Sequence, residues 1–311
     1  MILLFGKEIL QVFRFCRLPV ALRFCLLVVV TFPAILRERK FYPADRRMRG
    51  VIEYKILDRW VRIDLDQFRA GLVFGFLREF AGRDVYFRGF DTSRLRFDVV
   101  IDAGANNGFV SEVFSILGGD ENKVISIEPL YNAEAYTKDL LRRKPNIRRV
   151  EKAVLDGSVE SAAYLYDLID SRDLQTTTMA EILSENSIDK IQFMKIDIEG
   201  GEYPLLQNNS AWITLVDNLV MEVHQGLGDA EQLVHRLRSS GFTVLCTDNF
   251  GEPVEARVVD YLYASCTGAL KANARNLAPL ATGHVAGDGE SSEIRDTAMP
   301  MPGAAGASVV H

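Results

Sequence analysis

The chain has 311 residues, 48% hydrophobic and 25% charged, the balance of an ordinary globular protein with one large domain or two small ones. Its 36 Lys and Arg against 42 Asp and Glu leave a net charge of −6, which argues against a nucleic-acid partner, since phosphate contacts call for a basic excess. Cys16, Cys25, Cys246 and Cys266 are scattered, with no C-x-x-C pair. That excludes a disulfide scaffold, argues against a structural zinc site and suits free thiols in a reducing compartment, so the protein is expected in the cytoplasm.

Residues 1–49 read as an apolar, helical N-terminal segment. Arg14, Arg17 and Arg23 interrupt Ile9 to Arg23, and Phe24 to Leu36 (FCLLVVVTFPAIL) is apolar apart from a Thr and contains Pro33. A spanning helix needs ~20 apolar residues, and this run reaches that length only if Leu18 to Leu36 inserts and Arg23 snorkels. No small-x-small cleavage site follows the run. Two readings stay open. Either one or two helices pack on the core, or a basic amphipathic helix within residues 1–40 rests on a membrane surface and makes the protein membrane-associated.

Residues 50–97 lead into the core. Val51 to Ile56 and Trp60 to Leu65 are β-branched and aromatic and flank a short break, which predicts a hairpin. Phe68, Leu72, Phe76 and Phe80 recur at i+4 and predict a helix from Phe68 to Phe80.

From Asp98 strands and helices alternate through residues 98–266. Strands are expected at Val99 to Ile101, Lys123 to Ile127, Arg149 to Leu155, Ala162 to Tyr166, Ile191 to Ile196, Leu219 to Val223, Phe242 to Thr247 and Arg257 to Tyr263. Helices are expected at Phe109 to Leu117, Tyr131 to Arg143, Met179 to Asn186 behind Thr177 as cap, from about Glu202, and at Ala230 to Ser239. Crossovers of this length make a mostly parallel sheet with helices on both faces. The last two strands are joined too closely for a crossover, so one strand is antiparallel. Residues 267–311 are small and polar without periodicity and read as a disordered tail.

After the first strand of this alternation comes Asp102-Ala-Gly-Ala-Asn-Asn-Gly108, then a helix. Open α/β sheets bind ligands beside such a turn. Gly104 permits the tight turn and a close backbone approach, and Gly108 lets the helix pack. A G-x-G-x-x-G fingerprint fails, because Asn106 and Phe109 stand where glycines are needed, and no Gly-Lys-Ser/Thr phosphate loop is present. An acid at Asp102 repels a pyrophosphate and suits a cationic or hydroxyl-bearing ligand. Glu128, closing the second strand, can accept both hydrogen bonds of a ribose diol.

VIDAGANNGFVS, VISIEP, IQFMKIDIEGGE and VMEVH together resemble the FkbM family of S-adenosylmethionine-dependent methyltransferases, over about Asp98 to Gln225. The K-x-D-x-E-G-x-E stretch is the most specific part. The resemblance implies a Rossmann-like class I methyltransferase fold, with a seven-stranded sheet and one reversed strand near its edge. It also implies S-adenosyl-L-methionine as cofactor. Asp102, Gly104 and Gly108 then shape the pocket for its methionine part, Asn106 adds a polar contact, and Glu128 holds the ribose. Ala153 to Asp156 border the adenine, with Val154, Leu155 and Asp156 the candidates to touch the ring. Asn107 departs from the apolar residue usual there.

A polar cluster is expected opposite the cofactor. On a strand Lys195, Asp197 and Glu199 point one way, as do Glu222 and His224 on the next. Three charges on a buried strand are costly unless they pair or face a cleft. His224 is the natural candidate base, with Asp197 or Glu222 orienting it or serving as base themselves. Lys195 holds a carboxylate or stabilises an oxyanion, unless it anchors a structural salt-bridge network. Glu202 needs no role beyond the helix dipole. The carboxylates and His224 can accommodate Mg²⁺ or Mn²⁺, but the spacing demands no metal.

The function expected is O-methylation of a hydroxyl on a small molecule or a glycan- or lipid-linked acceptor, such as a sugar, glycolipid or secondary metabolite. The alternatives are a nicotinamide-dependent oxidoreductase on a related sheet and a non-catalytic cofactor-binding protein. The broken glycine fingerprint argues against the first, and five ionisable groups at strand ends argue against the second.

Overall fold

The chain opens with two helices, α1 (Ile2–Phe15) and α2 (Leu18–Glu38). In α2 the buried residues are Val20, Ala21, Phe24, Val28, Thr31 and Ile35, a spacing that makes one helical face. That face joins a core shared with the hairpin, and the Arg23 guanidinium donates to the carbonyls of Arg49 and Val51. Core packing, one of the two N-terminal readings, therefore holds for this face. The structure is a computed structural model that describes residues 2–38, 42–45, 47–57, 59–64, 75, 77–130, 134–158, 174–207 and 210–271.

The expected hairpin is present as β1 (Val51–Ile56) and β2 (Arg59–Asp64), paired antiparallel from Val51–Asp64 to Ile56–Arg59. Ile52, Tyr54 and Ile56 alternate inward, as do Val61 and Ile63. Most of the helix expected from Phe68 to Phe80 lies outside the described residues. Its end is a π-helical turn, Arg78–Arg83, which stops at Asp84 in the left-handed region with φ 51°.

The elements then follow as β3 (Val99–Ala103), α3 (Phe109–Gly118), β4 (Lys123–Ile127), α4 (Glu134–Arg143), β5 (Ile147–Val150), β6 (Ala153–Leu155), β7 (Thr176–Thr178), α5 (Met179–Glu185), β8 (Phe193–Ile196), α6 (Glu202–Gln207), β9 (Asn218–Glu222), α7 (Ala230–Ser239), β10 (Thr243–Thr247) and β11 (Tyr261–Ser265). Seven strands form the main sheet in the order β10-β11-β9-β8-β3-β4-β5. The pairings among β9, β8, β3, β4 and β5 are parallel, while β11 is antiparallel to both its neighbours. One strand, next to the edge, is reversed. This is the Rossmann-like class I methyltransferase sheet that the sequence motifs imply.

Adjacent residues along these strands serve opposite faces. Val100, Phe193, Val220 and Tyr263 enter the core shared with the N-terminal helices, and Ile101, Met194, Met221 and Leu262 enter the core under α5 and α7. On the first face Phe193 meets the rings of Phe87, Phe90, Phe97 and Phe114, with centroids 5.3–5.7 Å apart. Segments preceding the first parallel strand thus supply most of the core on this face.

Several expectations need correction. Arg149 to Leu155 is not one strand. The chain leaves the sheet after Val150, and β6 pairs with β7 in a separate two-stranded sheet, where the Ala153 N–H donates to the Gln175 carbonyl. The strand expected at Ala162 to Tyr166 lies outside the described residues. Thr178, not Thr177, caps α5, because Glu181 completes a capping box with it. The final strand begins at Tyr261 rather than Arg257, since a short 3-10 turn occupies Ala256–Val258. Thr267 to Lys271 are packed, with Ala269 and Leu270 buried and backbone bonds from Asp91 to Ala269 and from Lys271 to Gly89. The rest of the expected tail lies outside the described residues.

Candidate active site

The turn after β3 is shaped by its backbone. Gly104 has φ 77°, and a Cβ there would overlap the Asp197 carbonyl, so no side chain fits. Asn106 also takes a left-handed conformation, with φ 49°. Its N–H donates to Glu128 Oε2 at 3.0 Å, and the Leu130 N–H donates to Glu128 Oε1 at 2.9 Å. Glu128 therefore fastens the turn to the end of β4. Burial pushes its pKa above the ordinary carboxylate value, while these two N–H groups act the other way. Each oxygen keeps lone pairs for a ligand diol. Asn107 is buried and its Oδ1 accepts from the Phe109 N–H at 3.2 Å, which explains a polar residue at that position.

Asp102 lies beneath the turn and not in an open pocket. It is fully buried, and its Oδ2 accepts from the Ser111 hydroxyl at 2.6 Å. Its Oδ1 has no hydrogen bond and faces Lys195 Nζ at 3.4 Å. Lys195, also buried, donates to the Gly104 carbonyl at 2.5 Å and pairs with Asp197 Oδ2 at 3.3 Å. Burial disfavours the ammonium, but the Asp197 and Asp102 charges outweigh it and hold the Lys195 pKa above its ordinary value. Of the roles the sequence left open for Lys195, this geometry matches the holding of carboxylates. Lys195 is the buried post joining β3, β8 and the glycine turn, the salt-bridge alternative of the sequence reading.

Strand register sets the rest of the site. Ala103 pairs with Ile196, and Ile196 with Met221. One residue further on, Gly104, Asp197 and Glu222 line up at the carboxyl ends of three adjacent strands. Tyr261, first in the reversed strand, pairs with Glu222 and donates its hydroxyl to Glu222 Oε2 at 3.0 Å. Burial, then the Asp197 and Glu79 charges, push Glu222 up to about 8, against the Tyr261 bond. Glu79, from the π-helical turn, is pushed up to about 7, mainly by burial.

Strand alternation does not place Glu199, because β8 ends at Ile196 and Glu199 has φ 53°. The turn nevertheless brings Glu199 Oε2 to 3.3 Å and Asp197 Oδ1 to 4.0 Å from His224 Nε2. On the other side of the ring Glu202, fully buried, has Oε1 3.2 Å from Nδ1 and accepts the His224 backbone N–H at 2.8 Å. Its Oε2 accepts from the Gly200 N–H. Burial works against protonation of His224, but bonds to Glu199 and Glu202 and the Asp197 charge push it up to about 11. His224 is then an imidazolium at neutral pH. Protonation works against the role of base expected for it, since a base must arrive unprotonated.

Asp197, Glu199 and His224 bring one ligand atom each to within 4.8 Å of one another, a donor set a divalent cation can use. In the protonated form His224 supplies positive charge there itself. Asp156 lies in a buried turn after β6, where its Oδ1 accepts from the Ser158 N–H at 2.9 Å.

Sequence reasoning missed Glu202, Tyr261 and Glu79. Glu202 had a signal, as the closing acid of the K-x-D-x-E-G-x-E stretch. Tyr261 follows from register, which the sequence does not display, and Glu79 from an element outside the motifs.

Residues 102–244 match the family model described as the methyltransferase FkbM domain. Over that stretch, just under half of the chain, the protein is similar to FkbM methyltransferases. A search of curated proteins finds no significant match. Among solved structures, Aeropyrum pernix fibrillarin, in complex with natively bound S-adenosyl-L-methionine, is similar at 12% identity, with 70% of this chain and 84% of that chain covered and a TM-score of 0.37. A precorrin-6y C5,15-methyltransferase from Geobacter metallireducens GS-15 is similar at 17% identity, covering 55% and 81%, with a TM-score of 0.32. Both scores lie below 0.5, and no acceptor follows from them.

The FkbM match and the turn agree on S-adenosyl-L-methionine as cofactor. Gly104 keeps the backbone bare for a close approach, and Glu128 closes the second strand with lone pairs to spare. These two residues fit the cofactor's close backbone approach and its diol, while Asp102, paired with Lys195, acts from beneath the turn.

Proposed function

We propose that the FkbM domain methylates a hydroxyl oxygen of a small acceptor, such as a sugar, a glycolipid or a secondary metabolite. The observation carrying this reading is the row Gly104–Asp197–Glu222, which sets an acidic pair immediately beside the bare-backbone turn. When bound, the cofactor supplies an electrophilic methyl group on a sulfonium. Glu128 holds the ribose diol, and the glycine turn cradles the methionine part over Asp102 and Lys195. The end of β6, with Leu155 and Asp156, borders the adenine.

On the acceptor side the hydroxyl proton passes to the Asp197/Glu222 pair. Burial and the neighbouring Asp197 charge raise the Glu222 pKa to near working pH, where a base is most effective. His224, held by Glu202, keeps an imidazolium against Asp197 and Glu199 and balances their charge. A protonated His224 thereby gives these carboxylates the positive charge a metal would otherwise supply.

The test is calorimetric titration with S-adenosylhomocysteine and NAD, followed by transfer of labelled methyl from S-adenosylmethionine to hydroxyl acceptors. Micromolar binding of the sulfur nucleotide, lost by at least ~1.5 kcal/mol in Glu128→Ala, supports the reading. Binding of NAD alone overturns it. Transfer to nitrogen or carbon, and not oxygen, overturns the acceptor class.

A further inference from the structure

α2 is apolar on both faces. Opposite its buried stripe, Leu18, Leu22, Leu26, Val29, Val30 and Leu36 are each 48–71% exposed. A water-facing helix normally carries charge there, and a contiguous apolar strip marks an interaction surface. With 21 residues and a mean hydropathy of 2.2, the helix meets the length and composition of a membrane span. It is nevertheless held lengthwise against the domain by its buried stripe and by Arg23, bonded to two backbone carbonyls near β1. The exposed strip therefore lies along the surface.

Charge indicates what covers it. Residues 1–62 hold 13 Lys and Arg against 5 Asp and Glu, a net +8 on a chain of net −6. Beside the first turns of α2 is a cavity of about 470 Å³ lined by Arg17, Arg23 and Arg62, together with Pro19, Val51 and Glu53. Arg17 also stacks 3.9 Å over the ring of Trp60, which is half exposed, an arrangement suited to a water–lipid boundary. Three guanidinium groups next to an apolar strip match a lipid, with a phosphate on one side and acyl chains on the other. A protein partner explains the strip but needs an acidic rim to match the arginines.

We propose that α2 lies in the plane of an anionic phospholipid bilayer. The strip enters the acyl boundary and the Arg17/Arg23/Arg62 cavity takes a lipid phosphate. The surface is separate from the methyl-transfer site and does not depend on it.

The test is co-sedimentation of the full chain with vesicles of about 30 mol% phosphatidylglycerol in phosphatidylcholine, and of phosphatidylcholine alone. Binding to the anionic vesicles that weakens with salt is expected. Leu22→Glu with Leu26→Glu, both at exposed positions, should weaken it at least ~10-fold while leaving the Tm and S-adenosylhomocysteine affinity unchanged. Arg17→Ala with Arg62→Ala should cost about fivefold per arginine on anionic vesicles and little on neutral ones. No vesicle binding by the folded wild type overturns the proposal. So does a leucine-dependent dimer that ignores vesicles, or a protein that alkaline carbonate cannot extract from membranes, which marks a spanning helix.

Discussion

Glu202 grips His224 twice, through the backbone N–H at 2.8 Å and across 3.2 Å to ring Nδ1. A buried carboxylate in this position fixes the ring and keeps it charged. Glu202→Gln should lower the His224 pKa by at least about one unit, read from an NMR titration of the imidazole. An unchanged pKa would mean that Glu199 and Asp197 suffice.

Lys195 is the post under the glycine turn. Lys195→Met leaves Asp102 and Asp197 buried or half-buried without their cation. A loss of about 3–5 kcal/mol in urea unfolding is expected, with the cofactor site lost alongside it. A stable variant that binds S-adenosylhomocysteine normally but turns over slowly would return Lys195 to the acceptor.

Gly104→Ala should abolish S-adenosylhomocysteine binding, because the new Cβ overlaps the Asp197 carbonyl in a backbone conformation that already disfavours alanine. Gly241→Ala is the control. It shares a positive φ but has open space around it, so only a modest stability cost of about 1 kcal/mol is expected, without loss of binding.

Stability should fall as pH rises past neutrality. Glu222 moves from 4.5 unfolded to about 8 folded, and His224 from 6.5 to about 11, so both bind protons more tightly in the folded state. Their contributions are whole below the unfolded values and are lost as pH climbs through the folded ones. A Tm drop of about 5 °C between roughly pH 6 and pH 9 is expected in calorimetry, and Glu222→Gln should flatten its acid-side half. Asp197, Glu79, Tyr261 and His224 all face Glu222, and a residual slope in that variant belongs to Glu79 and His224.

Chelation should leave activity intact. Treatment with EDTA is expected to change kcat by less than about twofold, and a loss restored by Mg²⁺ would assign Asp197, Glu199 and His224 to a cation.

The sheet was legible because its strands are short apolar runs between turns, and the parallel order follows from crossover length. Asp102, Gly104, Gly108 and Glu128 were legible as a group because a ligand turn imposes residue type at fixed offsets. Protonation was not. His224 looks like a base until Glu199 and Glu202 close on it, and both reach it through a turn that no strand alternation describes. Lys195 looked divided between two roles, and burial decided between them. Thr178 took the cap from Thr177 because Glu181 stands three residues after it. The break between β5 and β6 is invisible in composition, since Val154 and Leu155 suit either sheet.

The reversed strand has a consequence for how this site can be altered. In every parallel strand the residues nearest the ligand come last, so the preceding loop sits at the remote rim. In β11 they come first: Tyr261 follows directly on the 248–260 loop and lands on Glu222. The buried residues of β11 hold its register, so a change in the length of that loop alters how Tyr261 is presented and is felt at the acid pair without any of its members being substituted. That loop is therefore a dial on proton affinity, set by counting residues rather than by choosing them.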